Sequence, residues 1–328
     1  MPKKVLIAPM TLADLEGPYA DSLRGAGFEL VYPHRPHQLT ENELPQALNG
    51  VCAVLAGSEP YTRRILAANS SLRVIARAGV GYDAVDVAAA TEHGVAVAIA
   101  PGTNQDAVAE HTFALILALA KNVVAQHPAV KAGQWPRQAN LPLRGRTLGI
   151  AGLGRIGKAV ACRGESFGMR LLAHEPLADQ AFVAQHQITL APFDQLLAES
   201  DYLTLHVPLS AETRHLINRR TLALMKPTAF LINTARGGLI HEKDMFEALK
   251  ERKIAGAALD VFEQEPPPAD HPFFQLDNVV LTPHAAGVDV KSRDDMAMSA
   301  AQAIISLSRG EWPAEKVVNP EVKKIFRW

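Results

Sequence analysis

The segment TLGIAGLGRIGKAVA, residues 147–161, decides the fold of this chain. An apolar run leads into Gly152, Gly154 and Gly157 in GxGxxG spacing, which is typical of a strand, a tight turn and the start of a helix. The first glycine permits the turn, the second lets the backbone approach a pyrophosphate, and the third allows close packing of helix on strand. The helix N-terminus adds amide donors and a positive dipole end. The segment therefore predicts a dinucleotide-binding unit.

The next apolar run, MRLLAHEP (169–176), predicts a second strand that ends near Glu175, 18 residues after Gly157. A carboxylate at this place can accept hydrogen bonds from the adenosine ribose hydroxyls. It also repels the 2′-phosphate of NADP, so Glu175 predicts NAD as the cofactor and makes NADP the less favoured one. The neighbouring His174 would partly offset this repulsion if it were charged. The alternative for Glu175 is a solvated loop acid.

Short runs rich in Val, Ile, Leu and Ala recur along the chain, separated by stretches of helical periodicity. This alternation is typical of parallel strands joined by crossover helices, and it predicts an α/β fold. The ten predicted strands are KVLIAP (4–9), VCAVLAG (51–57), LRVIARAG (72–79), VAVAIAP (95–101), TLGIAGLG (147–154), MRLLAHEP (169–176), YLTLHVP (202–208), AFLINTA (229–235), GAALDVF (256–262) and NVVLTPH (278–284).

A long helical segment, residues 104–133, separates the first four predicted strands from the last six. The chain after residue 288 is too short for a third domain, so we expect it to pack on the first. We therefore predict a discontinuous substrate domain, 1–100 with 289–328, and a dinucleotide-binding domain, 101–288. The helix from Asn104 to about Lys121 is apolar nearly all round, which predicts a homodimer that covers it, or a helix buried between two domains of one chain.

Charge and cysteine content narrow the class of partner. Lys and Arg total 33 against 34 Asp and Glu, a net charge of −1, which favours neither nucleic acid nor a membrane surface. The longest apolar segment, FALILALA (113–120), is shorter than the roughly 20 residues that a membrane span needs. Cys52 and Cys162 lie far apart without metal-ligand spacing, which predicts no metal site and a cytoplasmic location. We expect a small-molecule partner.

Three polar residues follow successive predicted strands: Arg236 in NTAR, Glu265 in DVFEQEP and His284 in PHAAG. Ligands of open parallel sheets bind outside the carboxyl ends of the strands, so these side chains are expected near a bound nicotinamide. Singly, His284 could merely cap a strand, and Arg236 and Glu265 could form a structural salt bridge. Together they match one chemical task, hydride transfer at a carbon that bears an oxygen.

Each of the three has a role in that task. His284 can donate a proton to the oxygen or accept one from it, because imidazole titrates near neutrality. Glu265 can hold the imidazolium by charge and hydrogen bond. Arg236 can bind the carboxylate of a 2-oxo acid at two points while it polarises the carbonyl. These residues predict an oxidoreductase.

The chain resembles the D-isomer-specific 2-hydroxyacid dehydrogenase family over essentially its full length. The resemblance implies a Rossmann NAD-binding domain and a flavodoxin-like substrate domain, each with a doubly wound parallel sheet, and a phosphoglycerate dehydrogenase-like or hydroxypyruvate reductase-like activity. It rests on RAGVGYDAVD (77–86), AEHTFALILAL (109–119), LRGRTLGIAGLGRIGKAVA (143–161), HVPLSAETRHLIN (206–218), FLINTARGGLIHEKDMFEAL (230–249), GAALDVFEQEP (256–266) and LTPHAAG (281–287).

The resemblance also assigns functions to individual residues. It makes Arg236, Glu265 and His284 catalytic and implies a homodimer. It places the substrate carboxylate, besides Arg236, on the backbone amides of Ala78, Gly79 and Val80. The cofactor contacts it implies are Gly152, Gly154, Arg155, Ile156, Gly157, Glu175, His206, Val207, Pro208, Thr213, Thr234, Ala235, Asp260, His284 and Gly287, with Asp260 bonding the nicotinamide carboxamide.

Two departures from the family pattern leave questions open. The ribose turn reads HEP where the family typically has a YDP-like sequence, so the strictness of NAD over NADP is open. Ala56 and Gly57 stand where some phosphoglycerate dehydrogenases carry a phosphate-binding arginine, for which Arg63, Arg64 or Arg77 could substitute. The 2-hydroxy acid is therefore open. A NAD-sensing, corepressor-like binding protein on the same fold is the alternative function.

Overall fold

The structure, a computed structural model that describes residues 3–35 and 37–328, divides into two compact units. Unit 1 comprises Met1–Asn104 and Val288–Trp328, and unit 2 comprises Gln105–Gly287. Each unit has one parallel sheet flanked by helices. The predicted α/β class with two parallel-sheet domains is confirmed.

Unit 1 contains a five-stranded sheet in the order β2-β1-β3-β4-β5, the flavodoxin-like arrangement. The direction of strand addition reverses between β1 and β3. Its first elements are β1 (Lys3–Ile7), α1 (Pro18–Gly25), β2 (Phe28–Val31), α2 (Leu44–Ala47), β3 (Val51–Ala56), α3 (Arg63–Ala68), β4 (Val74–Arg77), α4 (Val87–Glu92) and β5 (Ala96–Ala98).

Unit 2 contains a seven-stranded parallel sheet in the order β12-β11-β10-β9-β6-β7-β8, in which strand addition reverses between β6 and β9. Its elements are α5 (Gln105–Ala120), α6 (Val123–Lys131), β6 (Thr147–Ala151), α7 (Arg155–Ser166), β7 (Arg170–His174), α8 (Gln180–Gln185), β8 (Thr189–Leu190), α9 (Phe193–Glu199), β9 (Tyr202–Leu205), α10 (Arg219–Leu222), β10 (Phe230–Asn233), α11 (Glu242–Lys250), β11 (Gly256–Leu259) and β12 (Val279–Leu281). The last helix, α12 (Val290–Ser308), returns to unit 1.

The central strands of unit 2 are mainly apolar because both faces of the sheet are covered there. In β10, Leu231 belongs to one buried cluster and the next residue, Ile232, belongs to the cluster on the opposite face. Every residue of β6, β9 and β11 is buried. This two-sided burial produces the continuous apolar runs seen in the sequence.

The structure has two strands beyond the ten predicted, β2 and β8, both at sheet edges. Edge strands need not be apolar on every residue: β2 reads FELV with Glu29 exposed, and β8 has two exposed residues. The predicted long helix is two helices, because Asn122 adopts a left-handed φ of 52° between α5 and α6. Among the described residues no single helix is long and apolar enough to cross a bilayer; α5 and α6 meet that test only jointly, across a 60° bend.

Candidate active site

The glycine loop follows β6. The order of strand addition in the sheet of unit 2 reverses between β6 and β9. Gly152 has a φ of 94°, and a Cβ there would lie 2.7 Å from the His206 carbonyl oxygen. A Cβ at Gly157 would lie 2.0 Å from the Gly152 carbonyl oxygen, so helix α7 can pack on the loop only through glycine. At Gly154, by contrast, a Cβ would meet no protein atom within 4 Å. The fold therefore needs glycine at 152 and 157, whereas Gly154 leaves open the space that a pyrophosphate needs.

Glu175 lies against this loop, just beyond the end of β7. Its Oε2 accepts a hydrogen bond from the Leu153 amide at 3.0 Å, and its Oε1 accepts one from the Leu177 amide at 3.0 Å. The His174 side chain has a different partner: its Nδ1 donates to the Ala191 carbonyl oxygen at 3.0 Å. The structure thus brings a carboxylate to the predicted ribose side of the glycine loop, and a NAD cofactor fits the residues present.

The segment after β9 faces the same loop. The His206 amide donates to the Ala151 carbonyl oxygen at 2.7 Å, and Thr204 Oγ1 lies 2.9 Å from His206 Nε2. Burial lowers the pKa of His206 to about 3, so its ring is neutral near pH 7. Thr213 Oγ1 donates to the Pro208 carbonyl oxygen at 2.6 Å and thereby folds the chain that follows Val207. The segment from His206 to Thr213 is therefore an ordered part of the surface beside the glycine loop.

Arg236 is presented by a turn that Asn233 builds at the end of β10. The buried Asn233 amide group accepts from the Ala235 amide at 3.0 Å and donates to the Arg236 carbonyl oxygen at 2.8 Å. Arg236 Nη1 donates to the Ala235 carbonyl oxygen at 2.6 Å. Thr234 is buried, with its hydroxyl 3.2 Å from that of Thr112 on α5. Asn233 therefore fixes the direction in which the guanidinium leaves the strand.

His284 and Glu265 form a hydrogen-bonded pair after β12 and β11. His284 Nδ1 lies 2.6 Å from Glu265 Oε2, and Glu265 Oε1 accepts from the Phe262 amide at 3.0 Å. Burial alone raises the pKa of Glu265, but the His284 hydrogen bond and the positive charge of Arg236 bring it below its ordinary value. The ionised carboxylate makes Nδ1 the donor and leaves His284 Nε2 for a ligand.

Asp260 holds the turn that carries His284. Its carboxylate is completely buried and accepts hydrogen bonds from Thr282 Oγ1 at 2.6 Å and from the amides of Ala285 and Ala286 at 2.9 Å each. The Asp260 carbonyl oxygen also accepts from the His284 amide at 2.7 Å. His284 has a φ of 52°, an uncommon conformation for a residue with a side chain, which these bonds maintain. Both carboxylate oxygens of Asp260 therefore accept hydrogen bonds from the turn that carries His284.

A second histidine–carboxylate pair in unit 2 shows why His284 is the better candidate. His215 also has a positive φ, 53°, and its Nε2 lies 2.7 Å from Glu263 Oε1. In that pair the carboxylate contacts Nε2 of the ring, whereas Glu265 contacts Nδ1 of His284. Of these two histidines, His284 is the one whose Nε2 is not occupied by its paired carboxylate. The orientation, rather than the pairing itself, makes His284 suited to proton transfer.

The predicted substrate loop lies in unit 1, directly after β4. The Ala78 amide donates to the Ala56 carbonyl oxygen at 2.8 Å and so extends the sheet, which leaves it engaged by protein. The amides of Gly79 and Val80 have no hydrogen bond to other described residues. Of the three amides expected to meet an anion, the structure leaves those of Gly79 and Val80 available.

The arginines considered as phosphate contacts are otherwise engaged. Arg63 pairs with Glu92 at the surface, and Arg64 donates to Glu41 at 3.1 Å. Arg77 is buried. Nor does the described part of the chain contain a group of three or more His, Cys, Asp or Glu side chains that could hold a metal ion.

The structure groups the predicted catalytic and cofactor-binding residues at the carboxyl ends of the strands of unit 2, whereas the predicted substrate loop follows β4 in unit 1. The glycine loop, Glu175 and the His206–Thr213 segment meet at β6, β7 and β9, whereas Arg236, Asp260, Glu265 and His284 follow β10 to β12. The supporting roles of Asn233 and Thr282 were missed by sequence reasoning. An Asn at the end of an apolar strand was the available signal for Asn233, since its side chain favours local backbone bonds.

Comparisons with known proteins show which family and which folds this chain is similar to. Residues 113–286 match the family model described as D-isomer specific 2-hydroxyacid dehydrogenase, NAD binding domain. A glyoxylate reductase of Korarchaeum cryptofilum is 43% identical over 274 residues, 82% of each chain. A D-3-phosphoglycerate dehydrogenase of Methanocaldococcus jannaschii is 43% identical over 286 residues, 86% of this chain and 54% of that one. A solved D-lactate dehydrogenase from Aquifex aeolicus, complexed with NAD and lactic acid, is 27% identical with a TM-score of 0.85, covering 97% of this chain and 99% of that one.

Proposed function

The chain belongs to the D-isomer specific 2-hydroxyacid dehydrogenase family and is an NAD-dependent enzyme, and from this premise we propose how its own residues act. We assign the interconversion of a small D-2-hydroxy acid and its 2-oxo acid to Arg236, Glu265 and His284. The observation that carries this proposal is the 2.6 Å contact of His284 Nδ1 with Glu265, which leaves Nε2 for the substrate.

The proposed reduction uses each side chain for one task. Bound NADH supplies a hydride to the carbonyl carbon. His284 Nε2 donates a proton to the carbonyl oxygen, which yields the hydroxyl group, and in the oxidation the same nitrogen accepts that proton. Glu265 stabilises the imidazolium before the transfer, and the Arg236 guanidinium binds the substrate carboxylate and polarises the carbonyl. We also assign substrate carboxylate binding to the Gly79 and Val80 amides, which have no hydrogen bond to other described residues.

Two further features concern ligand preference. We assign Glu175 to the ribose hydroxyls of NAD, since its position beside the Leu153 amide supports a contact at the glycine loop. We also propose an unphosphorylated substrate such as glyoxylate or hydroxypyruvate. The ion pairs of Arg63 and Arg64 support this choice, because an arginine already paired at the surface is a poor phosphate site.

NADH oxidation with a panel of 2-oxo acids tests the activity. The panel comprises glyoxylate, hydroxypyruvate, phosphohydroxypyruvate, pyruvate and branched 2-oxo acids. We expect turnover of at least one unphosphorylated acid, with phosphohydroxypyruvate the poorer substrate. NADH binding without turnover of any acid would contradict the enzyme and favour the corepressor-like alternative, for which the comparisons give no support.

We assign unit 2, which contains the match to the NAD binding domain, to the cofactor, and the discontinuous unit 1 to the substrate. A cytoplasmic location stays a prediction from the two unpaired cysteines.

We also propose a homodimer joined through unit 2. Helix α5 buries eight of its 16 residues within the chain, whereas α6 buries none and exposes Val123, Val124 and Val130. The proposed interface therefore includes α6 as well as α5. Light scattering should give about twice the 35.4 kDa of one chain. Val124→Asp should shift the mass toward one chain, whereas the control Leu177→Asp, at a residue 91% exposed, should not. A parent mass near one chain would contradict the dimer.

A further inference from the structure

The loop after β4 has hydrogen bonds at its entry, middle and exit. At the entry, the Ala78 amide donates to the Ala56 carbonyl oxygen at 2.8 Å. In the middle, the Gly79 carbonyl oxygen accepts from the Ala100 amide at 2.9 Å. Because a trans peptide points its carbonyl and N–H in opposite directions, this bond turns the Val80 N–H to the side away from Ala100. The loop amides therefore have a defined direction.

The bond at the exit comes from a side chain. Arg77, the last residue of β4, donates from Nε to the Gly81 carbonyl oxygen at 3.0 Å and so closes the five-residue turn on itself. The Arg77 side chain is buried, with 7% of the residue exposed. A substitution at Arg77 can therefore alter this bond while the two backbone bonds remain.

Glu59 is the buried carboxyl group that accompanies Arg77. It follows β3, the neighbour of β4 in the sheet, and is 1% exposed. Its Oε2 accepts from the Gly57 amide at 2.7 Å and from the Tyr61 hydroxyl at 3.3 Å. Burial raises the pKa of Glu59, and the positive charge of Arg77 acts in the opposite direction. Among the described residues of unit 1, Glu59 and Arg77 are the charged side chains in the buried class.

Tyr61 connects this pair to the chain beyond the loop. Its amide donates to the Ala84 carbonyl oxygen at 2.8 Å, and its own carbonyl oxygen accepts from the Asp86 amide at 2.9 Å. The loop is thus held before its first residue by the sheet and after its last by Tyr61. Burying charged side chains is costly unless they interact with other groups. The burial of both Glu59 and Arg77 beside this loop therefore calls for a structural explanation.

We propose that Arg77 and Glu59 are positioning residues for the substrate: Arg77 through its bond to the Gly81 carbonyl oxygen, and Glu59 through Tyr61, hold residues 78–81 so that the Gly79 and Val80 amides meet the substrate carboxylate. This inference rests on the proposed function. Neither side chain touches the substrate. Their effect is on the direction and order of the two amides, so it falls on substrate binding rather than on proton or hydride transfer.

Conservative variants test the two residues, because complete removal of a buried charged side chain would leave its partners unsatisfied and destabilise the fold. Arg77→Lys keeps the charge but loses the planar Nε donor, and Glu59→Gln keeps a carbonyl acceptor but loses the charge. We expect each to raise the KM for the 2-oxo acid about tenfold, the effect of one lost hydrogen bond, with kcat and the Kd for NADH within about twofold of the parent. The double variant should raise KM no more than the larger single change, because the residues act together.

The matched control is Arg73→Lys. Arg73 precedes β4 at its opposite end and also donates to backbone carbonyl oxygens, those of Ser70 at 2.6 Å and Leu72 at 2.9 Å. The KM of the Arg73→Lys variant for the 2-oxo acid should equal that of the parent. A tenfold fall in kcat with unchanged KM in Arg77→Lys, or equal effects of Arg73→Lys and Arg77→Lys, would overturn the proposal.

Hydrogen exchange separates this proposal from the proposed activity. Exchange at the Ala100 and Val85 amides, which donate to the Gly79 and Tyr82 carbonyl oxygens of this loop, should be faster in Arg77→Lys and Glu59→Gln than in the parent and in Arg73→Lys, and this needs no turnover. A parent that turns over no 2-oxo acid would refute the proposed function alone, with the exchange result still deciding whether the pair orders the loop. Unchanged exchange in both variants would refute the positioning role.

Discussion

The glycine loop after β6 and the histidine turn after β12 lie at the carboxyl end of one sheet but are built in opposite ways. The glycine loop works through missing side chains: Cβ atoms at Gly152 and Gly157 would come within 3 Å of backbone oxygens, and one at Gly154 would enter open space. The histidine turn works through side chains, since Asp260 and Glu265 together fix the backbone and the ring of His284.

The difference follows from what each region has to bind. A pyrophosphate needs several amide donors at close range, and glycine lets the backbone supply them. Proton transfer needs one ring nitrogen in one direction, and a side chain with free torsions has to be held by neighbours. Substitutions should therefore act on catalysis at the histidine turn and on cofactor affinity at the glycine loop.

The largest effect is expected for His284→Ala, which removes the proton donor. We expect kcat to fall by about 10²-fold to 10⁴-fold, the usual contribution of a general acid–base group, with the Kd for NADH nearly unchanged. Steady-state kinetics and NADH titration measure both. The control His215→Ala breaks a similar histidine–carboxylate pair and should keep most activity. A kcat for His284→Ala within about threefold of the parent would remove His284 from the mechanism.

Arg236→Lys should have the next largest effect. The ammonium keeps the charge, but it cannot bind carboxylate and carbonyl together as a planar guanidinium does. Hydrogen bonds to charged groups contribute about 1.5 to 3 kcal/mol, so kcat/KM should fall by about tenfold to a hundredfold. Arg220→Lys, which changes an exposed arginine paired with Asp194, is the control. Parent-like kcat/KM in Arg236→Lys would show that the guanidinium geometry is irrelevant.

Gly154→Ala tests the other side of the comparison. Its φ of −71° suits alanine and its Cβ meets no protein atom, so the melting temperature should not change. The methyl group would occupy the pyrophosphate space, so the Kd for NADH should rise by about tenfold, equivalent to 1.4 kcal/mol. Gly157→Ala should instead lower the melting temperature, because its Cβ would lie 2.0 Å from the Gly152 oxygen. Unchanged NADH affinity in Gly154→Ala would refute the role of the loop.

The smallest effect is expected for cofactor choice. The parent should prefer NADH to NADPH, and Glu175→Ala should narrow that preference by about fivefold, the effect of one charge at about 4 Å in water. Glu175→Gln removes the charge while it keeps an acceptor for the loop amides, and it should narrow the preference similarly. Ratios of kcat/KM with the two cofactors provide the measurement. A parent that uses both equally would show that the carboxylate does not face the 2′ position.

Strands buried on both faces are visible in a sequence, because most of their residues are apolar. The β6 run, the glycines after it and the polar residues after β10 to β12 could therefore be predicted with the parallel fold. The edge strands β2 and β8 could not, since one exposed side removes the continuous pattern. The break between α5 and α6 depends on the left-handed conformation of one residue, Asn122, within a sequence of helical composition.

The sequence by itself determined the fold class and the glycine loop, and it made Arg236, Glu265 and His284 the candidate catalytic residues, because these inferences follow from local spacing and strand ends. The tertiary structure alone decided that Asp260 holds the turn of His284, that Glu265 takes Nδ1 rather than Nε2, and that the Ala78 amide is engaged by Ala56. Each of these is a contact between segments of different strands. Such contacts depend on which strands become neighbours in the sheet and on how each side chain leaves its turn.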